Sequence, residues 1–172
     1  MPGAATSARR GLAKVLRRRF GANAGLSALG YLSLVPLVVL AALAAADGKG
    51  FLSQALALRG LVAYGVLLLA FVGGIRRGSS LRGEPSDRPA LQLLGTVGAT
   101  AAGWLALMLP PTVGLAILAA ATAAQGAVDV WSAERTGPAW WGRLRLRQTL
   151  LAEAVLSATL VGLALGGPAA SG

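Results

Sequence analysis

The sequence predicts an all-α fold, a multi-pass transmembrane helix bundle of about five spans preceded by a basic amphipathic helix. Three observations lead there. The chain is 55% hydrophobic and only 13% charged, with a mean hydropathy of +0.67, which leaves too little polar surface to coat a compact water-soluble domain. Its 172 residues contain five apolar runs, and a helix of about 19 residues rises about 28 Å, enough for a hydrocarbon core. The cations fall in short blocks between those runs, so a pI near 11.8 and a net charge of +10 read as membrane orientation and not as a nucleic-acid-binding face.

Residues 1–23 form the first segment. MPGAATSARRGLAKVLRRRF holds six cations, no acid, and Leu12, Val15, Leu16 and Phe20 at helical spacing, the pattern of a helix lying in the lipid interface. An organelle-targeting presequence and the start of a secretion signal are the competing readings. Arg17, Arg18 and Phe20 resemble a twin-arginine signal, and Ala44 to Ala46 before Asp47 could serve as a cleavage site. The apolar run that follows is longer than a usual signal core, and further spans come after it, so a retained interfacial helix is the favoured reading.

The transmembrane domain is expected over residues 24–166, with a short tail at 167–172. Its first span is 24–46, kinked at Pro36, since proline lacks the N–H that a helix interior needs. The second is 57–75, at the heart of LVAYGVLLLAFVGGIRR (61–77). It is expected to end at Gly73-Gly74, where helix propensity drops, with Arg76 and Arg77 holding that end at an anionic surface. RRGSSLRGEPSDRP (76–89) is then a polar loop. The third span, 91–109, and the fourth, 112–131, are separated only by Pro110-Pro111, which demands an antiparallel hairpin. The connector SAERTGPAWWGRLRLRQT leads to the fifth span, 150–166.

Charge sets the expected topology. A cytoplasmic N-terminus places Arg9, Arg10, Lys14, Arg17, Arg18, Arg19, Arg76, Arg77, Arg82, Arg88, Arg135, Arg143, Arg145 and Arg147 inside, and only Lys49 and Arg59 outside. So uneven a division of the 16 cations predicts the N-terminus in and the C-terminus out. Lipid tails are as apolar as leucine, so close packing across small residues must hold the helices together. Gly95, Ala99 and Gly103, then Ala116, Ala120 and Ala124, then Ala154, Ala158, Gly162 and Gly166 recur every fourth residue. The last set is the favoured packing face, and such a face also suits another protein.

Five segments carry a family resemblance: GYLSLVPLVV (30–39), AYGVLLLAFVGGIRRG (63–78), the mid-helix Trp104, Asp129, and PAWWGRLRLRQT (138–149). In order and spacing they resemble the domain of unknown function 3429 family, also called the transmembrane protein 69-like family, over about residues 30–162. The resemblance implies a small multi-pass protein of bacterial membranes, with a mitochondrial relative in eukaryotes and no established activity. Arg77 departs from it, standing where the family tends to have an aromatic.

Candidate chemistry is confined to polar residues in or beside the spans. With no Cys and no His, thiol chemistry, haem ligation by those residues and ordinary zinc or copper sites are excluded, and no catalytic, cofactor-binding or metal residue is assigned. Asp129 lies near the inner end of the fourth span with Gln125 one turn deeper, and Glu153 is expected in the first turn of the fifth. Arg76, Arg77, Arg143, Arg145 and Arg147 are expected at the same level. A structural ion-pair cluster, with Asp129 bound to an arginine of 143–147, is favoured over a proton or substrate site. Trp131, Trp140 and Trp141 suit interfacial anchors, and Trp104 a packing residue.

Three function classes follow from this inventory. An accessory, assembly or scaffold component of a membrane complex is favoured, because catalytic residue types are lacking and small-residue faces are present. A small-molecule or ion transporter or channel would draw on Thr96, Thr100, Thr122, Gln125, Ser157 and Thr159, which more often join helices to each other. A membrane enzyme acting on lipid headgroups would have only Asp129, Glu153 and arginines to work with. The expected partners are the bilayer, anionic lipid headgroups and other membrane proteins or further copies of the chain, not nucleic acid. The expected location is a bacterial inner membrane, with the mitochondrial inner membrane as the alternative.

Overall fold

A computed structural model describes residues 24–46, 52–80, 89–136 and 139–165. The basic amphipathic segment expected at 1–23 and the tail at 167–172 lie outside the described residues. All regular structure among those described is helical: α1 (Ala24–Leu32), α2 (Val35–Ala45), α3 (Gln54–Ser80), α4 (Pro89–Met108), α5 (Pro111–Thr136) and α6 (Ala139–Leu165).

The chain divides into two compact units, Met1–Ser33 and Leu34–Gly172. In the first, α1 ends where Ser33 Oγ donates to Gly30 O at 2.7 Å. The second holds the remaining helices. Pro36, expected to kink the first span, stands in the first turn of α2, the position where its missing N–H costs a helix nothing. The helical pattern is interrupted just before it, at Ser33 and Leu34. The stretch Ser27–Ala45 is nonetheless long and apolar enough to cross a membrane.

The boundaries of α3 and α6 differ from expectation in ways that matter for the site, and α5 runs on past the expected 131 to Thr136. α3 does not end at Gly73-Gly74 but continues to Ser80. Each glycine lowers helix stability by only about 1 kcal/mol relative to alanine, and no proline follows until residue 85. α3 also starts earlier than residue 57: Ser53 Oγ accepts from Leu56 N at 3.4 Å, capping the first turn. Gln54 Nε2 donates to Ala44 O at 3.1 Å, tying the start of α3 to the end of α2. The second difference is larger. α6 begins at Ala139, eleven residues before the expected 150, so WWGRLRLR is helical and α5 and α6 are separated only by residues 137–138.

The core of the second unit gathers Leu37 and Ala44 from α2, Leu58, Leu61 and Leu69 from α3, Ala106 from α4, Leu115 and Leu118 from α5, and Ala152 and Leu156 from α6. α5 and α6 make the most extensive contact, and α6 also packs on α2. α4 and α5 form the hairpin that Pro110-Pro111 demanded, with Gly114 N donating to Pro110 O at 2.9 Å. Close approach within the unit occurs at glycines: Gly65 faces Leu118, Gly103 faces Val66, Gly114 faces the Ala106 carbonyl and Gly126 faces Thr149. Of the expected small-residue sets, Ala99 and Gly103 of α4 touch the core side. Ala116, Ala120 and Ala124 of α5 are exposed, as are Ala154, Ala158 and Gly162 of α6. The favoured fifth-span face is therefore not the packing face, because Leu144, Ala152 and Leu156 on another side of α6 are the ones buried. Gly166 lies outside the described residues.

Large apolar side chains cover the outside of the unit, among them Leu67, Phe71, Met108, Leu150 and Val161. That is the pattern of a helical membrane bundle, whose exterior meets lipid tails. Gln54–Ile75, Pro111–Trp131 and Trp140–Leu165 join Ser27–Ala45 as stretches long and apolar enough to span a bilayer, and the part of α4 whose side chains are described adds the apolar stretch Val97–Met108. Trp104, expected to pack, is instead 61% exposed, pointing away from the bundle.

Candidate functional site at the α5–α6 hairpin

The early start of α6 decides the geometry. Continuous helix from Ala139 onward puts Arg143 and Arg147 one turn apart on the outside, both exposed, and turns Arg145 toward α5. There Arg145 Nη2 donates to Asp129 Oδ2 at 2.6 Å and Arg145 Nε donates to the same oxygen at 3.1 Å. A third donor, Arg145 Nη1, reaches Gln148 Oε1 at 3.3 Å. The two side chains of the ion pair are 13% and 9% exposed, so the bond forms in surroundings where charge-assisted contacts are strong and an unpaired partner is costly. Gln148, itself buried, fixes the guanidinium in place.

Asp129 does not sit at the end of its helix, since α5 runs on to Thr136. The unfavourable negative end of the helix dipole, felt within the last turn, is therefore not what Arg145 offsets; the burial of the carboxylate is. One turn deeper, Gln125 is buried and its Nε2 points to Leu69 O of α3 at 3.5 Å, the limit of a hydrogen bond. Its Oε1 has no hydrogen-bond partner.

Glu153 departs furthest from expectation. It stands in the middle of α6 rather than in the first turn, about 12 Å along the axis from Arg145 at 1.5 Å per residue. It is thus outside the ion-pair cluster, and its Oε1 is buried without a hydrogen-bond partner. The side chains of Arg76 and Arg77 lie outside the described residues, although their backbone belongs to α3. Trp140 and Trp141, at the start of α6, meet edge to face with ring centroids 5.6 Å apart. Trp131 is 47% exposed at the same end of the hairpin.

Two participants are absent from the sequence reading. Gln148 follows Arg145 by three residues, the helical spacing for neighbouring side chains, and Thr149 packs on Gly126. Both signals become readable only once 139–149 is taken as helix.

The family model described as a protein of unknown function (DUF3429) matches residues 23–161. The chain belongs to this family. The match covers every described residue from α1 to Val161, including the Asp129–Arg145 pair and Glu153. No curated protein and no solved structure matches the chain. DUF3429 membership therefore carries no activity, and function has to be argued from the geometry.

Proposed function

We propose that this DUF3429 protein is an accessory, assembly or scaffold component of a membrane complex. The observation that carries the reading is the exposure of two faces suited to close helix packing, Ala116, Ala120 and Ala124 on α5 and Ala154, Ala158 and Gly162 on α6. Small residues let helix backbones approach closely, yet the bundle's own close approaches use other positions, and an added side chain at Gly162 would meet nothing within 4 Å. A partner membrane protein or a second copy fits there. The Asp129–Arg145 pair supports the same reading, because a carboxylate held by two donors braces the hairpin and is not free for chemistry. A non-enzymatic role is part of the same proposal.

The charge division further supports five spans in a bacterial inner membrane, with the N-terminus cytoplasmic and the C-terminus outside; the mitochondrial inner membrane is the alternative site. In that orientation the exposed Arg143 and Arg147 meet anionic headgroups beside Trp140 and Trp141. A second reading, a small transporter or channel, is favoured by one observation, the unpartnered carboxylate oxygen of Glu153 within the Trp140–Leu165 span.

Affinity purification in mild detergent tests the first reading. A reproducible companion protein or a self-complex is expected, and Ala158→Leu is expected to abolish it while thermal stability stays unchanged, since Ala158 is exposed. A monomer with no companion would move the weight to transport.

A further inference from the structure

Glu153 is six residues beyond Arg147, about 9 Å deeper along α6, and well inside an apolar stretch that extends to Leu165. Among the described residues, the elements with substantial contact to α6 supply it no counter-charge. α2 contains no ionisable residue. α5, as far as Trp131, contributes only Asp129, which is bound to Arg145 near the other end of the hairpin. On α6 itself the charged residues are Arg143, Arg145 and Arg147, all toward its start. Among the described residues no group of acids able to hold a metal ion surrounds Glu153. A bare carboxylate at that depth is too costly to persist, and the smallest species that neutralises it is a proton.

Two polar side chains, Gln148 and Thr149, lie along α6 between Glu153 and the arginine-bearing end. Gln148 is buried and accepts from Arg145. Thr149 lies one helical turn before Glu153, its methyl and hydroxyl groups packed against Gly126. We propose that Glu153 is a proton-binding site within the membrane, loaded and unloaded from the arginine-bearing end of the α5–α6 hairpin past Gln148 and Thr149. The site is independent of the reading above, because an accessory subunit and a transporter can each carry a proton-dependent step.

The test uses the full chain in phospholipid vesicles and the hydrophobic reagent N,N′-dicyclohexylcarbodiimide. The reagent takes up the acid proton on one of its nitrogens while the carboxylate oxygen bonds its central carbon, so only a protonated, lipid-accessible carboxyl is marked. Mass spectrometry is expected to place the adduct on Glu153, with progressive loss as pH is raised and complete loss in E153Q. The wild-type pH series stands even if E153Q fails to assemble. An unmarked Glu153 from mildly acid to alkaline pH, or a yield indifferent to pH, overturns the proposal. Protection by sodium at constant pH also overturns it, in favour of an alkali-cation site.

Discussion

Asp129 and Arg145 are each partly buried, so removing either one strands the other in a poor environment for charge. Asp129→Asn is expected to lower thermal stability in detergent by about 1–3 kcal/mol, and Arg145→Ala by a similar amount. The double variant should lose clearly less than the two single losses added together, the signature of a direct contact. Arg147→Ala, at an exposed position, serves as the control and should change stability by about 0.5 kcal/mol or less. Full additivity of the Asp129 and Arg145 changes would remove the pair as a brace of the hairpin. That Asp129 needs an arginine from 143–147 is legible in the sequence, from its place near the end of the fourth apolar run, a short connector away from three arginines. Which arginine it takes is not, because the answer depends on the helical register of α6.

At the scale of elements, the two hairpins depend on positions where a side chain has no room. A Cβ at Gly114 would run into the backbone carbonyl of Ala106, which cannot move aside as a side-chain tip can. Gly114→Ala should therefore destabilise the α4–α5 hairpin by about 1–3 kcal/mol in thermal unfolding, whereas Gly95→Ala, with nothing within 4 Å, should be neutral or slightly stabilising. Equal behaviour of the two variants would contradict the close approach at Gly114. The existence of α3, α4 and α5 is readable from apolar runs and proline pairs. The boundaries of α3 and α6 are not, for two reasons. Gly73-Gly74 weakens a helix without ending it, and the polar WWGRLRLR looks like connector until its Arg145 and Leu144 are seen to have partners inside the bundle.

For the whole molecule, sidedness is the property most open to test. Reporters fused at the N-terminus and at Ser80 are expected to read cytoplasmic, and those at Gly48 and Gly172 to read as outside, from the division of Lys and Arg between alternate connectors. A cytoplasmic reading at Gly172 would remove one span from the count.

That this is a helical membrane protein of the DUF3429 family can be read from the residues alone. Transfer of apolar segments into lipid depends on residue composition segment by segment, and backbone hydrogen bonding then forces each segment to be helical. Neither quantity requires knowledge of what a segment touches. Only the tertiary structure decided which faces turn inward, that Arg145 rather than its neighbours holds Asp129, that the alanine faces of α5 and α6 are left outside, and that Glu153 stands deep in α6. Those outcomes depend on where each helix begins and on its rotation against its neighbours. A displaced helix start moves every side chain of the segment to a new depth and face, and that rotation is set by contacts between residues far apart in the chain, such as Thr149 on Gly126 and Leu118 on Gly65.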